Sequence, residues 1–385
     1  MELFLTSVFN GISVGAVLLI VALGLAIVFG IMGVINLAHG ELMMLGAYTT
    51  FVVQNGFKFL GDVGVEIYII FALPLAFLVA AGVGLILEKG VIRYLYGRPL
   101  ETLLATWGVS LILQQFVRSV SWAMVVGIAV FCLLFFGGFW AIKRWGKWRR
   151  IPQWMGAVML PLSAGIAIAA SVGLGQIFKL GATQPWFGAQ NVDVTAPSWL
   201  RGGLPVGNFQ LPYARLFIIG LTIVCVVAIY LFLLRSPWGL RIRAVTQNRS
   251  MSACLGIPTQ TVDALTFALG SGLAGVAGCA ISLLGSVGPN TGQNYIVDAF
   301  MVVVVGGVGK LIGTVVAALA IGTLNYCIGS GILPVILAPI PPLAEFLEFF
   351  ATTSMARVMV FALIILFLQV RPAGLFPQKG RAVDA

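Results

Sequence analysis

The chain has 385 residues, of which 60% are hydrophobic and 9% are charged, and its mean hydropathy is +1.07. Soluble globular domains carry about 25% charged residues, so this composition excludes a soluble protein. The formal net charge of +10 could indicate a nucleic-acid partner, but the basic residues cluster in short loops between apolar runs. That distribution orients helices in a membrane. We therefore predict an all-α polytopic membrane protein that contacts lipid and no nucleic acid.

Apolar runs that could cross a bilayer recur along the whole chain. They predict a single transmembrane helical bundle over residues 1–385, with about 11 segments. The predicted segments are residues 12–31, 38–53, 67–87, 103–116, 124–142, 154–173, 216–234, 264–284, 296–305, 311–328 and 358–370. The polar stretch at residues 176–212 is predicted to be an external loop.

The basic residues also predict an orientation. With the N-terminus outside and the C-terminus in the cytoplasm, 16 of the 22 Lys and Arg residues face inward, as the positive-inside rule requires. The most basic loop, Lys143–Arg150, holds five basic residues in eight. Its alternative role is an anionic-lipid patch.

The second segment begins with an unusual polar stretch, IMGVINLAHGELMMLGAY, at residues 31–48. It contains Asn36, Glu41 and the single histidine of the chain, His39. Polar groups at membrane depth are costly, so they mark a transport pathway or a structural break. The alternative is an ordinary helix start, with Asn36 as the N-cap.

The sequence lacks motifs for nucleotide or metal binding. GGVGKL around Lys310 is not a phosphate-binding loop, because that pattern needs glycine at position 304 and Ser or Thr at position 311. The sequence has no HExxH or CxxC pattern. We therefore expect no catalytic residue, cofactor or metal site in this chain.

The basic loop at residues 239–262 contains a stretch that could form a short helix, Ala244–Leu255. Gly256 would end this helix, with Pro258 just beyond it. Such a helix could dock into a groove on a soluble partner, or it could be part of an ordinary basic loop.

Two glycine patterns predict close contacts between helices. Gly270, Ala274 and Gly278 recur at four-residue spacing in one segment, and small residues at that spacing let helices approach closely. Gly306–Lys310 predicts a tight turn between the next two segments.

Several stretches together resemble one protein family. They are GLAIVFGIMGVINLAHGELMMLGAY, RAVTQNRSMSACLGIPT, VDALTFALGSGLAGVAG, VVVVGGVGKLIGTVVAALAIGTLN and RPAGLFPQKGR. They are similar to the membrane permeases of ATP-binding-cassette importers of the branched-chain amino acid type. The resemblance covers about residues 5–116 and 181–381, whereas residues 119–174 look like a helix pair inserted among about nine core spans.

The resemblance implies ATP-driven import across the bacterial inner membrane by alternating access. It implies a second permease subunit in a heterodimer, two cytoplasmic ATPases that hold ATP and Mg²⁺, and a periplasmic solute-binding protein. It also makes the loop at residues 239–262 the coupling segment that contacts an ATPase. The residues implied for that contact are Arg243, Gln247, Asn248, Arg249, Leu255 and Gly256.

The predicted solute is urea or a short amide. LETLLATWGVSLILQQ, NVDVTAPSWLRGG and LPYARLFII resemble the urea-transport branch of the family. The polar residues within the segments are mostly neutral, which favours an uncharged solute. The candidates for the pathway or its gate are Asn36, His39, Glu41, Thr49, Gln114, Gln115 and Asn325. The alternatives are import of branched-chain or other neutral amino acids by the same machine, and a stand-alone secondary transporter or channel.

Overall fold

The computed structural model describes residues 2–138, 153–177, 185–187, 190–206, 209–336 and 347–376. The chain divides into two compact units. The first comprises Met1–Leu111 and Val192–Ala385, and the second comprises Ile112–Asn191. The two segments that look like an insertion lie in the second unit.

The described residues are mainly helical. The helices are α1 (Glu2–Met32), α2 (His39–Phe57), α3 (Asp62–Gly90), α4 (Pro99–Ser119), α5 (Trp122–Cys132), α6 (Gln153–Ile177), α7 (Tyr213–Arg235), α8 (Pro237–Gln247), α9 (Arg249–Cys254), α10 (Thr259–Ser282), α11 (Thr291–Gly306), α12 (Leu311–Gly329), α13 (Ile332–Ile336) and α14 (Thr353–Val370). Short 3-10 helices lie at Lys58–Leu60, Ile92–Leu95 and Ser198–Leu200, and Leu133–Gly137 forms a π-helical turn.

Six helices of the described residues are long and apolar enough to cross a membrane. They are Thr6–Gly30, Asp62–Gly90, Pro99–Ser119, Tyr213–Arg235, Thr259–Ser282 and Leu311–Gly329. Shorter apolar helices occur at Ala123–Phe135, Pro161–Gly173 and Ser354–Val370. The polytopic helical fold is therefore confirmed, and each predicted segment coincides with a helix within the described part of the chain.

The core of the first unit is built around α10. Its glycines face carbonyl groups of neighbouring helices: a methyl group at Gly278 would lie 1.9 Å from the Met43 oxygen, and one at Gly275 would lie 2.3 Å from the Ala76 oxygen. Only glycine permits backbones to approach so closely. The close packing predicted from the small residues of this segment is thus confirmed.

The turn between α11 and α12 is also confirmed. Gly307 and Gly309 have φ angles of +95° and +80°, which residues with a Cβ rarely adopt. The chain near the C-terminus covers this turn, because the Leu375 amide donates to the Val305 oxygen at 2.8 Å.

The predicted external loop contains a feature that the all-α prediction omitted. Two short strands, β1 (Gly203–Val206) and β2 (Phe209–Pro212), form an antiparallel hairpin. The loop is attached to the ends of α2 and α3, because Gln54 Nε2 and the Tyr68 hydroxyl donate to the Thr195 oxygen at 2.7 and 3.0 Å.

In the second unit, α5 packs against α6. Ser121 caps α5 by accepting a hydrogen bond from the Met124 amide at 3.3 Å. Gly127 lies close to α6, since a methyl group there would be 3.2 Å from Ser171 Cβ. The predicted basic loop Lys143–Arg150 lies outside the described residues.

Candidate coupling segment and polar break

The region predicted to couple to an ATPase contains two helices, where the sequence predicted one. The first helix, α8, ends at Gln247, and the second, α9, begins at Arg249. Asn248 between them has an extended backbone, and its Oδ1 accepts from the Met251 amide at 2.9 Å. Asparagine favours such N-cap positions over helix interiors. The prediction of one continuous helix over Ala244–Leu255 was therefore wrong at Asn248.

The end of α9 agrees with the prediction. Gly256 has a φ angle of +81°, and the Ile257 amide donates to the Ser252 oxygen at 3.1 Å. A glycine in the left-handed region with this hydrogen bond is a common helix C-terminus. Thr259 then begins α10 directly after Pro258.

Arg249 is tied to the membrane core. Its Nη2 atom lies 2.5 Å from Oδ2 of Asp263, a residue of α10 whose side chain is 1% exposed. Its guanidinium carbon also lies 5.1 Å from the centroid of the Tyr96 ring, which is within the range of a cation–π interaction. A buried carboxylate without a partner would be costly, so Arg249 compensates the Asp263 charge.

Tyr96 extends this contact to the connection between α3 and α4. Its hydroxyl donates to Oε1 of the buried Glu88 at 3.3 Å, and Arg93 pairs with Oε2 of the same residue at 3.4 Å. Burial is the main cause that raises the pKa of Tyr96, so this hydroxyl remains protonated and can donate. The coupling segment is thus linked to α3 and α10 by one charged cluster.

Sequence reasoning missed Asp263, Glu88 and Tyr96. A signal did exist, since Asp263 and Glu88 are acids at the ends of apolar helices, where an acid needs a partner. The link between them could not be identified, because Arg249 and Asp263 are far from Tyr96 and Glu88 in sequence.

The six predicted coupling residues occupy three different environments. Arg243 and Gln247 line a cavity of about 830 Å³. Asn248 and Arg249 are engaged with the protein itself, as the N-cap and the ion pair show. Leu255 is 75% exposed at the tip of the segment, next to Gly256, and Met251, which the prediction omitted, is 58% exposed.

The polar break lies between α1 and α2, where Gly33 has a φ angle of +66°. Asn36 Oδ1 accepts from the Ala38 amide at 3.1 Å, while Ala38 is the residue that precedes the first turn of α2. Asn36 therefore does not cap α2 from the N-cap position, which Ala38 occupies. The Leu37 amide donates to Thr106 Oγ1 at 3.2 Å, so α4 satisfies part of the unwound backbone.

His39 and Glu41 are both buried beside this break. His39 Nε2 lies 3.2 Å from the Val21 oxygen of α1, and Glu41 accepts a hydrogen bond from Ser110 of α4 at 3.0 Å. Neither residue lines the cavity at α8. Both side chains therefore join helices of the first unit.

A polar stripe on α4 completes this arrangement and was missed from the sequence. Thr102, Thr106 and Ser110 are buried and recur at four-residue spacing, which places them on one helix face. Thr106 and Ser110 contact Leu37 and Glu41 of the break, and Thr102 donates to the Leu95 oxygen at 2.9 Å.

The other pathway candidates lie on several helices. Thr49 donates to the Leu45 oxygen of its own helix at 2.7 Å. Gln114 is buried and Gln115 is exposed in the second unit, and Asn325 is half-buried on α12. No cluster of three potential metal ligands occurs among the residues that the structure describes.

Comparisons with known proteins identify relatives over nearly the whole chain. A family model described as "Branched-chain amino acid transport system / permease component" matches residues 7–368. The high-affinity branched-chain amino acid transport system permease protein LivH of Escherichia coli (strain K12) is 28% identical over 381 residues, covering 97% of this chain and 95% of LivH. The corresponding permease protein BraD of Pseudomonas aeruginosa is 24% identical, covering 83% of this chain and 84% of BraD.

A third relative covers a smaller share of the chain. The probable branched-chain amino acid transport permease protein LivH of Methanocaldococcus jannaschii is 26% identical, covering 79% of this chain and 75% of the relative. No solved structure matches the chain significantly. The predicted resemblance to the urea-transport branch finds no support in these relatives.

Proposed function

Because this chain belongs to the family of permease components of branched-chain amino acid transport systems, we propose that it imports branched-chain or other neutral amino acids. Membership makes it a multi-pass inner-membrane transport subunit of the ATP-binding-cassette type and not an enzyme. The observation that carries the proposed solute is the family match over residues 7–368. Urea is the alternative solute, and the uptake assay described below distinguishes the two.

Two of the neutral polar residues that favoured urea form hydrogen bonds within their own helix. Thr49 and Thr50 donate to the Leu45 and Gly46 oxygens of their own helix at 2.7 and 3.0 Å. Threonine hydroxyls in helices commonly bond to the preceding turn. Their presence therefore carries no information about the charge of the solute.

A permease of this family works with ATP-binding subunits and a solute-binding protein. We propose the composition that the sequence resemblance implies: a heterodimer with a second permease, two cytoplasmic ATPases and one periplasmic binding protein. ATP binding and hydrolysis then occur on the partner subunits. The basic loops of this chain set the orientation in which α8 and α9 face those ATPases.

The proposed contact with an ATPase is the exposed tip formed by Met251, Leu255 and Gly256. Two large apolar side chains on a short exposed helix can fill a groove on a soluble protein. The ion pair between Arg249 and Asp263 would then pass a displacement of this tip to α10. Because α10 packs closely on α2 and α3, its movement changes the helices that build the core.

The polar break is proposed to have a structural or gating role. Asn36 and Thr106 bind backbone amides at the break, and Glu41 binds Ser110. ATP supplies the energy of transport, so no proton relay through His39 or Glu41 is required. Unwound backbone in a membrane needs such hydrogen-bond partners.

An uptake assay in cells tests which solute is transported. A strain that lacks this chain is compared with the same strain expressing it, using labelled leucine and labelled urea. We expect the chain to restore leucine uptake and to leave urea uptake unchanged. Restored urea uptake with unchanged leucine uptake would show that the amino acid proposal is wrong.

Reconstitution tests the mechanism. The purified chain alone in liposomes is expected to transport neither solute, whereas the complete complex with ATP transports leucine. Transport by the chain alone without ATP would instead identify a secondary transporter or channel.

A further inference from the structure

A cavity of about 830 Å³ lies in the first unit, beside the helix that precedes the coupling tip. It is formed by the end of α1, the end of α7, the last turns of α8 and the start of α12. Apolar side chains, including Tyr230, Leu234 and Ile312, form most of its wall. A cavity of this size accommodates a drug-sized or larger apolar ligand.

The charged residues that line the cavity are both cations. They are Arg243 of α8 and Lys310 of the turn before α12, and both are exposed. Among the described residues neither forms an ion pair. Thr246 and Gln247 add a hydroxyl and an amide to the same wall. Two uncompensated cations beside polar neutral groups suit a phosphate-containing anion.

The apolar wall continues along the outside of α7. Ile223, Val227, Tyr230 and Leu234 are all about half exposed or more, and their spacing places them on one face of the helix. This face extends from Ile223 to Leu234, or about 16 Å at the rise of an α-helix. That length is comparable to a lipid acyl chain, and the face leads into the cavity at Tyr230 and Leu234.

We propose that this cavity binds one glycerophospholipid with an anionic head group, drawn from the leaflet that is predicted to face the cytoplasm. Its phosphate lies between Arg243 and Lys310, and an acyl chain lies along the exposed face of α7. Basic pockets between transmembrane helices on the cytoplasmic side bind anionic head groups. The continuity of the cavity with a membrane-embedded apolar face favours a lipid over a soluble protein.

The position of the lipid gives it a role in coupling. It contacts α8 at Arg243 and Gln247, and α8 is joined to α9 through Asn248 alone. A bound lipid therefore holds α8 against α1, α7 and α12. The inference stands whichever solute the transporter carries, because it depends on the cavity and not on the pathway.

Native mass spectrometry of the purified full-length chain tests the proposal. The chain is titrated with dioleoyl phosphatidylglycerol and, separately, with dioleoyl phosphatidylcholine. We expect one retained phosphatidylglycerol and weaker retention of phosphatidylcholine. The double variant Arg243→Gln/Lys310→Gln should bind phosphatidylglycerol at least about tenfold more weakly, because it removes both cations that attract the anionic head group.

Two further variants make the test decisive. Arg235→Gln/Arg241→Gln removes the same charge from nearby positions that do not line the cavity, and should bind like the unaltered chain. Thr246→Trp fills the cavity without changing charge and should also lose the lipid. Equal weakening by both double variants, or full binding by Thr246→Trp, would mean that the lipid binds by general surface attraction, and the proposed site would be wrong.

Discussion

Arg249 and Asp263 form a 2.5 Å ion pair that joins the coupling segment to the core helix α10. The arginine is 45% exposed and the aspartate is 1% exposed, so the pair spans the boundary between the loop and the helical core. The guanidinium also lies over the Tyr96 ring at 5.1 Å. Arg249 is therefore better described as a positioning residue of the coupling segment than as a free contact for an ATPase.

The first prediction concerns this pair. Arg249→Gln leaves a buried carboxylate without its cation and should lower the free energy of unfolding by about 1–3 kcal/mol. It should also reduce solute-stimulated ATPase activity of the assembled complex. The double variant Arg249→Gln/Asp263→Asn removes both charges and should recover most of the stability.

The double-mutant comparison separates positioning from direct contact. Thermal unfolding reports the stability, and ATPase activity in the complex reports the coupling. If Asp263→Asn restores neither quantity in the Arg249→Gln background, the two residues do not act as a pair. If Arg249→Gln alone leaves both quantities unchanged, the positioning role is wrong.

The second prediction concerns the exposed tip of the coupling segment. Leu255→Asp should reduce co-purification of the ATPase subunits by at least about tenfold, because it places a charge where an apolar side chain is buried at the interface. The permease should still insert into the membrane, since Leu255 is 75% exposed in the unassembled chain.

A matched control is available for this variant. Phe59 is 94% exposed in the 3-10 helix that follows α2, outside the coupling segment. Phe59→Asp should leave the yield of co-purified ATPase unchanged. An unchanged yield with Leu255→Asp would place the ATPase contact elsewhere on the chain.

The third prediction concerns the packing of α10. A methyl group at Gly278 would lie 1.9 Å from the Met43 oxygen, so Gly278→Ala should destabilise the fold by about 1–3 kcal/mol through overpacking. Gly82 on α3 is the control, because a methyl group there meets no atom within 4 Å. Gly82→Ala should be neutral or slightly stabilising. Equal unfolding temperatures for the two variants would contradict the packing described for α10.

The fourth prediction concerns Glu41. Glu41→Gln keeps an oxygen that can accept a hydrogen bond from Ser110. Because this hydrogen bond does not require a charge, amino acid uptake and its pH dependence should change by less than about twofold. Asn36→Leu removes the acceptor for the Ala38 amide and should destabilise the break by about 1 kcal/mol, the typical contribution of one hydrogen bond. Loss of uptake in Glu41→Gln with normal folding would show that the charge itself is required.

Much of the helical architecture could be predicted from the sequence. Long apolar runs require helices in a bilayer because no water is available for backbone groups. The tight turn at Gly306–Lys310 and the helix end at Gly256 were also predictable, because each depends on local backbone preferences of glycine. The hairpin at Gly203–Pro212 was missed because its strands are only four residues long.

The environments of the predicted site residues could not be predicted from the sequence. Arg243, Arg249 and Leu255 lie within one short basic loop and looked equivalent in sequence. The structure places them at a cavity wall, in an ion pair and at an exposed tip. The difference depends on residues from α3, α10 and α12, which no local pattern connects to the loop.

The sequence by itself determined that this protein is a helical membrane permease, because hydropathy, basic loops and glycine spacing are local patterns that are visible along the chain. Only the tertiary structure decided that Arg249 pairs with Asp263, that Glu41 accepts a hydrogen bond from Ser110 and that Arg243 and Lys310 line the same cavity. Each of these relationships joins groups on different elements of the fold. A buried or uncompensated charge signals that a partner is needed, but only the packing of the helices decides which partner is within reach.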